Sequence, residues 1–408
     1  MNVHLAQPRR FIITLGLLTA VAALTVDISL PAIPAMVDAL STSLSRGQQI
    51  VGVFMFGMAI GQIPAGLAAD RFGRLPAIYV GMGIFLASGI VAAAANNIEL
   101  MLAARFAQGF GAASAIVVSR AIVRDIASGR DAARLMSLIT MIFTAVPVIA
   151  PTVGALLVAG WSWRAPFIAI VICGLVLLGG IRGNLVETHT PNATEHPLRQ
   201  LHGSFREYFS HRQSVFALLL LVLSPAGYLS IIAVSAALTV EIYGFSIKQY
   251  GFIFACAGLS ILAGSSFNRW LVLRFDVLQL VKLGVALIFT ASAQLLVIAW
   301  LDHAPFWWVW SCVCLYMFTV AILMSNSTVL ALDPLPKIAG VASSILGTAQ
   351  NLVGAGGAIL GALIYDGSVR NAVIIMAATG TITTGIFLMH PLLAPGLHAR
   401  HKAAMTRN

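Results

Sequence analysis

The sequence predicts an all-α integral membrane protein with twelve transmembrane helices arranged as two six-helix halves. Three observations carry this reading. The 408-residue chain is 59% hydrophobic and 9% charged, with a mean hydropathy of +0.93, whereas soluble domains carry charge on about a quarter of their residues. Its apolar residues gather into a dozen continuous runs, each near the roughly 20 residues needed to cross about 30 Å of hydrocarbon. Only one connection is long, residues 184–213, and it leaves six runs on either side. Spanning strands would alternate apolar and polar residues over about ten positions. These runs are continuous and longer, so they are helices, which satisfy their own backbone in lipid.

In chain order the runs cover 11–37, 48–69, 76–95, 98–120, 135–159, 165–183, 214–240, 248–268, 280–301, 306–330, 338–364 and 370–393. The first follows Arg9 and Arg10 and resembles a secretory signal, but it continues through Asp27 to Pro34 and eleven more runs follow. It is therefore read as a retained first helix. Pro31, Pro34, Pro147, Pro151 and Pro225 are expected to kink or unwind their helices locally. The chain divides into an N-terminal half (1–183), a cytoplasmic central loop (184–213) and a C-terminal half with its tail (214–408).

Charge gives the orientation. With a cytoplasmic amino terminus, 19 of the 24 Lys and Arg fall in cytoplasmic segments, Arg46, Arg164, Lys248 and Arg370 fall outside, and Arg105 lies within a span. That asymmetry satisfies the positive-inside rule and places both termini in the cytoplasm of a cell whose inner membrane holds the protein. The net charge of +10 is then an insertion signal rather than a footprint for nucleic acid. Cys173, Cys256, Cys312 and Cys314 show neither a disulfide framework nor metal-ligand spacing and are read as small core residues. No cofactor or metal is expected.

Two stretches concentrate charge against this background. GLAADRFGR, Gly66 to Arg74, reads as a tight cytoplasmic turn: Gly66 permits close helix approach, Asp70 sits at a helix end and Gly73 supplies the reversal. A solvated loop would account for Arg71 and Arg74 but not for Asp70 or the glycines. The second stretch is RFAQGFGAA in the fourth run, where a deep Arg105 costs at least a few kcal/mol unless paired or wet. The other deep charge, Asp27, lies about 24 Å from the cytoplasmic end of its helix, and Arg105 about 22 Å from the end of its own. The two are expected to be partners at one depth. Burial disfavours a carboxylate and a neighbouring cation favours it, opposing influences that suit a group loading and releasing a proton.

The halves carry a faint repeat: Gly66, Asp70 and Arg71 after the second span correspond to Gly264, Asn268 and Arg269 after the eighth. Parallel six-helix halves are typical of secondary transporters, with the substrate path between them. Tyr228, Gln294, Asn326, Gln350 and Asn351 are candidates for substrate contact, each equally explained by a helix–helix hydrogen bond. Phe54, Met55 and Met58 in the second run are read as lipid or core contacts, with a promiscuous pocket as the alternative.

The turn resembles the loop motif G-x-L-a-D-r-x-G-r of the major facilitator superfamily, through Gly66, Leu67, Asp70, Arg71, Gly73 and Arg74. That resemblance implies a gating role for Asp70 and the arginines between inward-facing and outward-facing states. Arg105, Gln108, Gly109, Gly111 and Ala112 resemble the superfamily's R-x-x-Q-G-x-G-A motif, in which the Arg is implicated in proton coupling. Asp27-x-x-x-Pro31-Ala-Ile-Pro34 is similar to a run in the bicyclomycin/chloramphenicol resistance (Bcr/CflA) branch of the drug:proton antiporters. Some multidrug relatives carry a second acid two turns earlier, where this chain has Thr19, which argues against multiply charged cations. VPVIAPTVGALL resembles the antiporter motif through Pro147, Pro151 and Gly154, with Ala150 and Ala155 replacing glycines.

The resemblance implies a proton-coupled exporter of small, largely apolar drugs, with Asp27 and Arg105 in proton coupling. Its partners would be a drug-like molecule, protons and the bilayer, with no nucleic acid, and the chain is expected to act as a monomer. The alternative on the same fold is an uptake symporter for a small metabolite. An enzyme is not expected: the sequence has no HExxH helix, nucleophile elbow or phosphate loop.

Overall fold

The computed structural model describes residues 9–127, 129–188, 197–301, 303–335 and 338–390. The described residues are all-helical, with twelve helices or helix pairs among them long and apolar enough to cross a membrane. The elements are α1 (Arg9–Asp27), α2 (Ile33–Ala39), α3 (Leu44–Phe72), α4 (Arg74–Ala94), α5 (Ile98–Ile126), α6 (Gly129–Gly160) and α7 (Ala165–Asn184). After them come α8 (Pro197–Ser210), α9 (Arg212–Ala237), α10 (Ile247–Leu271), α11 (Val277–Ala299), α12 (Phe306–Leu332), α13 (Ala339–Ile364) and α14 (Val369–Leu388). Short polar connections supply caps: the side chains of Ser43, Asn97 and Ser368 accept from Arg46, Leu100 and Asn371 backbone N–H groups, satisfying amides that helix starts leave unpaired.

Proline acts unevenly. Pro31 has no N–H to donate to the carbonyl four residues earlier, which is that of Asp27, and α1 ends there. A 3-10 turn over Leu30–Ala32 follows, and α2 restarts with Pro34 near its beginning. Pro147, Pro151 and Pro225, by contrast, sit inside helices that run on as α6 and α9. Of the expectation that prolines kink or unwind their helices, the unwinding is corrected at those three, because the helices continue through the backbone bond that each proline cannot make. The break at the other end of the seventh span, a π-helical turn over Leu238–Ile242, had no proline to announce it.

The central connection is not wholly a loop. Residues 197–210 form α8, where Tyr208 is buried, donates its hydroxyl to the Ser214 carbonyl at 3.1 Å, and meets Phe209 edge-on, with ring centroids 5.3 Å apart. Phe209 itself is exposed, so the buried, hydrogen-bonded Tyr208 is the aromatic that anchors the end of this helix. The last run ends as helix at Leu388, and residues 391–393 lie outside the described residues.

Contacts divide the chain into two units. One comprises the described residues of Met1–Glu195 with Gly244–Gly258; the other those of His196–Tyr243 with Leu259–Asn408. The start of α10 belongs to the first unit because glycines let it lie on α6: a Cβ on Gly258 would meet the Pro147 carbonyl oxygen at 2.6 Å, and Thr152 donates to the Gly251 carbonyl at 3.0 Å. In the second unit, Gly264 lies against the Phe318 carbonyl of α12, and Gly357 against the Ala226 carbonyl of α9. Small residues at such contacts let backbones approach where lipid supplies no hydrophobic drive. Of the cysteines, Cys312 is buried and Cys173 and Cys314 are half-buried, but Cys256 is exposed, which corrects its reading as a core residue.

Candidate functional site

In the first unit, glycines on α5 set the position of Arg105. Gly109 lies against the Phe54 carbonyl of α3, and a Cβ on Gly111 would meet the Gly81 carbonyl oxygen of α4 at 2.6 Å. The two glycines of the fourth-span motif therefore seat α5 against two different helices. The side chain of Arg105, one turn away, is fully buried. Its guanidinium lies 4.6 Å from the ring centroid of Phe54 and 5.9 Å from that of Phe167, within cation–π range. It donates to Gln108 Oε1 at 2.9 Å, and makes longer 3.5 Å contacts to the Thr25 carbonyl and Ser29 Oγ. Its Nε has no hydrogen-bond partner among the described residues.

Thr25 and Ser29 bracket Asp27, two residues away on each side. Arg105 thus reaches the turn that carries Asp27, but among the described residues no ion pair joins the two side chains. The expected direct partnership is corrected to shared proximity. The reason lies in the helix surface: residues two apart point to different sides, so a group touching Thr25 and Ser29 need not face Asp27. Asp27 is 6% exposed and is the one buried acid among the described residues. Gly154 of the antiporter-like stretch closes the same place from another side, since a Cβ there would run into the Ile28 carbonyl oxygen.

That contact yields a prediction. A methyl at Gly154 would collide with backbone oxygen, which cannot rotate away, so Gly154→Ala should cost about 1–3 kcal/mol of stability. A Cβ on Gly66 would meet only Val117 Cγ1 at 3.6 Å, so Gly66→Ala should stay within about 0.5 kcal/mol of wild type. Thermal unfolding of the two detergent-solubilised variants checks the contrast. The open space at Gly66 corrects its reading as the close-approach residue of α3; that work falls to Gly57, against the Phe106 carbonyl, and Gly61, whose Cβ would meet the Phe110 oxygen at 2.6 Å.

At the α3–α4 turn, Gly73 has φ +101°, a region L side chains avoid, and α4 begins at the next residue. Arg74, 4% exposed, pairs with Asp70 and donates from Nε and Nη2 to the two Asp125 oxygens at 2.8 and 3.2 Å. Arg71 stands apart, its guanidinium 5.3 Å from the ring centroid of Phe72. Asp125 and Glu187, absent from the sequence-based candidates, carry much of this turn. The signal that could have found them is their acidity: like Asp70, they are acids beside basic connections, which the positive-inside rule does not explain.

The second-unit candidates fare differently. Asn326 is buried and spends its amide hydrogens on Asn268 Oδ1 at 2.7 Å and the Ile322 carbonyl at 2.8 Å. It is a helix–helix tie between α12 and α10, and its assignment to substrate is withdrawn. Gln294 similarly accepts from Trp308 Nε1 at 3.1 Å. Tyr228 and Gln350 are half-buried, Gln350 with its amide 3.7 Å from the Met324 sulfur. Among the described residues, no cluster of His, Cys, Asp or Glu is arranged to hold a metal.

Comparison with known proteins agrees with this architecture. The chain is 28% identical over 355 residues to a bicyclomycin resistance protein homolog of Haemophilus influenzae, covering 87% of this chain and 88% of that one. It is 31% identical over 329 residues to the multidrug resistance protein MdtL of Shewanella oneidensis, covering 80% and 81%. Among solved structures it superposes on a peptide transporter with TM-score 0.72 at 15% identity, covering 96% and 95% of the chains. A D-xylose-proton symporter gives TM-score 0.71 at 16% identity, covering 92% and 97%; at such identities these two likenesses speak for the fold alone. The family described as Major Facilitator Superfamily matches residues 15–358. With twelve spans, that match over most of its length and drug-resistance proteins among its relatives, the chain belongs to the Major Facilitator Superfamily of membrane transporters, not to an enzyme family.

Proposed function

We propose that this protein is a proton-coupled exporter of small, largely apolar drugs, working by alternating access in the inner membrane with both termini cytoplasmic. One observation carries the reading. Among the described residues there are two buried arginines and one buried acid; Arg74 is met by two carboxylates, whereas Arg105 contacts the Asp27 turn without an acid paired to it. A structural pair would be closed. A buried carboxyl on a turn that a buried cation touches without pairing to it can change charge without breaking a salt bridge, which is what a proton carrier requires.

In this reading Asp27 and Arg105 couple the proton. The 70–74 turn, with Gly66 before it, gates the cytoplasmic side, and Pro147, Pro151 and Gly154 shape the helix that favours export. Tyr228, Gln350 and Asn351 are the remaining substrate candidates. Thr19 donates its hydroxyl to the Leu15 carbonyl at 2.9 Å and offers no second charge, which favours neutral drugs over multiply charged cations. The names of the resistance relatives support drugs as cargo.

The test is accumulation of labelled chloramphenicol and a panel of apolar drugs in cells expressing the protein, with and without a proton uncoupler. Lower accumulation that the uncoupler reverses is expected. Uptake that grows with an imposed inward proton gradient would replace export by metabolite-type symport, and no gradient dependence for any compound would overturn proton coupling.

A further inference from the structure

The turn between α3 and α4 is held by a residue far away in sequence. Gly73 precedes α4 and has no side chain with which to cap it, so the first amides of α4 need acceptors from elsewhere. Glu187, just past the end of α7, supplies both: Oε1 accepts from the Arg74 N–H at 2.8 Å and Oε2 from the Leu75 N–H at 2.9 Å. A carboxylate is favoured at that position because the helix start carries partial positive charge. The next residue, Thr188, donates its hydroxyl to Asp125 Oδ2 at 2.8 Å, and Asp125, near the end of α5, is the acid that binds Arg74. Two consecutive residues therefore tie α7's exit to α4's start and to α5's end. The site is also closed to enlargement, since a Cβ on Gly73 would sit 2.8 Å from Glu187 Oε2.

We propose that Glu187 is a positioning residue that locks the α3–α4 turn, the end of α5 and the exit of α7 into one body, so that Asp70 and Arg74 keep their geometry while the transporter cycles. The lock itself is a property of the first unit. Its consequence for turnover rests on the export reading above, and the experiment separates the two.

Full-length wild type, Glu187→Ala and Glu187→Gln are reconstituted in nanodiscs and followed by hydrogen–deuterium exchange over 70–80, 120–127 and 183–188. Losing both acceptors should speed exchange in 70–80 about tenfold in the Ala variant, with faster exchange in the other two segments. Gln keeps one oxygen acceptor and should fall between. Exchange in 70–80 unchanged in the Ala variant overturns the lock, as does a change confined to 183–188.

The same proteins are assayed for gradient-driven chloramphenicol transport per folded molecule. A fall of about threefold or more in kcat with KM within about twofold, partly restored in Gln, is expected of a positioning residue. Wild-type kcat together with fast exchange overturns the positioning role, because a turn that can loosen without effect does not need holding. If wild type itself moves no chloramphenicol under a gradient, the export reading fails for that drug, while the exchange data still decide the lock.

Discussion

Asp27→Asn is expected to reduce uncoupler-sensitive efflux to the background of cells lacking the protein, while the variant remains folded in the membrane. The amide has the shape of the carboxylic acid but takes up no charge, so it isolates titration from packing. Packing matters here, because the residue is 6% exposed and stands where α1 gives way to the 3-10 turn. Drug binding should survive, since a neutral side chain stands in for the protonated acid, and only the step powered by the gradient should be lost. The measurements are membrane abundance, equilibrium binding of labelled chloramphenicol and gradient-driven transport in vesicles. Full gradient-driven efflux by the Asn variant would remove Asp27 from the mechanism.

Arg105→Lys should be nearly as damaging, although it keeps a positive charge. The guanidinium works as a plane: it lies against Phe54, donates to Gln108 and extends to both the Thr25 carbonyl and Ser29 Oγ. An ammonium has no planar fork and cannot hold these directions together, and it can lose its proton when buried. Charge-assisted hydrogen bonds contribute about 1.5–3 kcal/mol each, so losing their geometry should lower coupled transport about ten- to a hundredfold. Arg105→Ala removes the cation altogether. If Arg105 acts on Asp27 electrostatically, the pH midpoint of drug binding should move in Ala and, differently, in Lys. Binding against pH in the three purified proteins reads this directly. A midpoint common to all three would make Arg105 a packing residue of α5, held by the glycines at 109 and 111.

The sequence by itself determined the class of the protein, the number of spans and the positions of the rare deep charges. Those follow from local physics: lipid forbids unpaired backbone and penalises charge, so a run of apolar residues and a solitary Asp or Arg are legible one at a time. The break after Asp27 was legible for the same reason, since Pro31 acts on a carbonyl four residues away. Tertiary structure decided which groups meet. Sequence put Asp27 and Arg105 at one depth, yet the rotation of each helix placed Arg105 against the residues on either side of Asp27 rather than on Asp27 itself. It likewise bound Asn326 to Asn268, moved the close approach on α3 from Gly66 to Gly57 and Gly61, and brought Glu187 across 113 residues to Arg74. Such choices depend on how whole helices rotate and slide to bring small residues together, and no short stretch of chain contains the partner that sets its rotation.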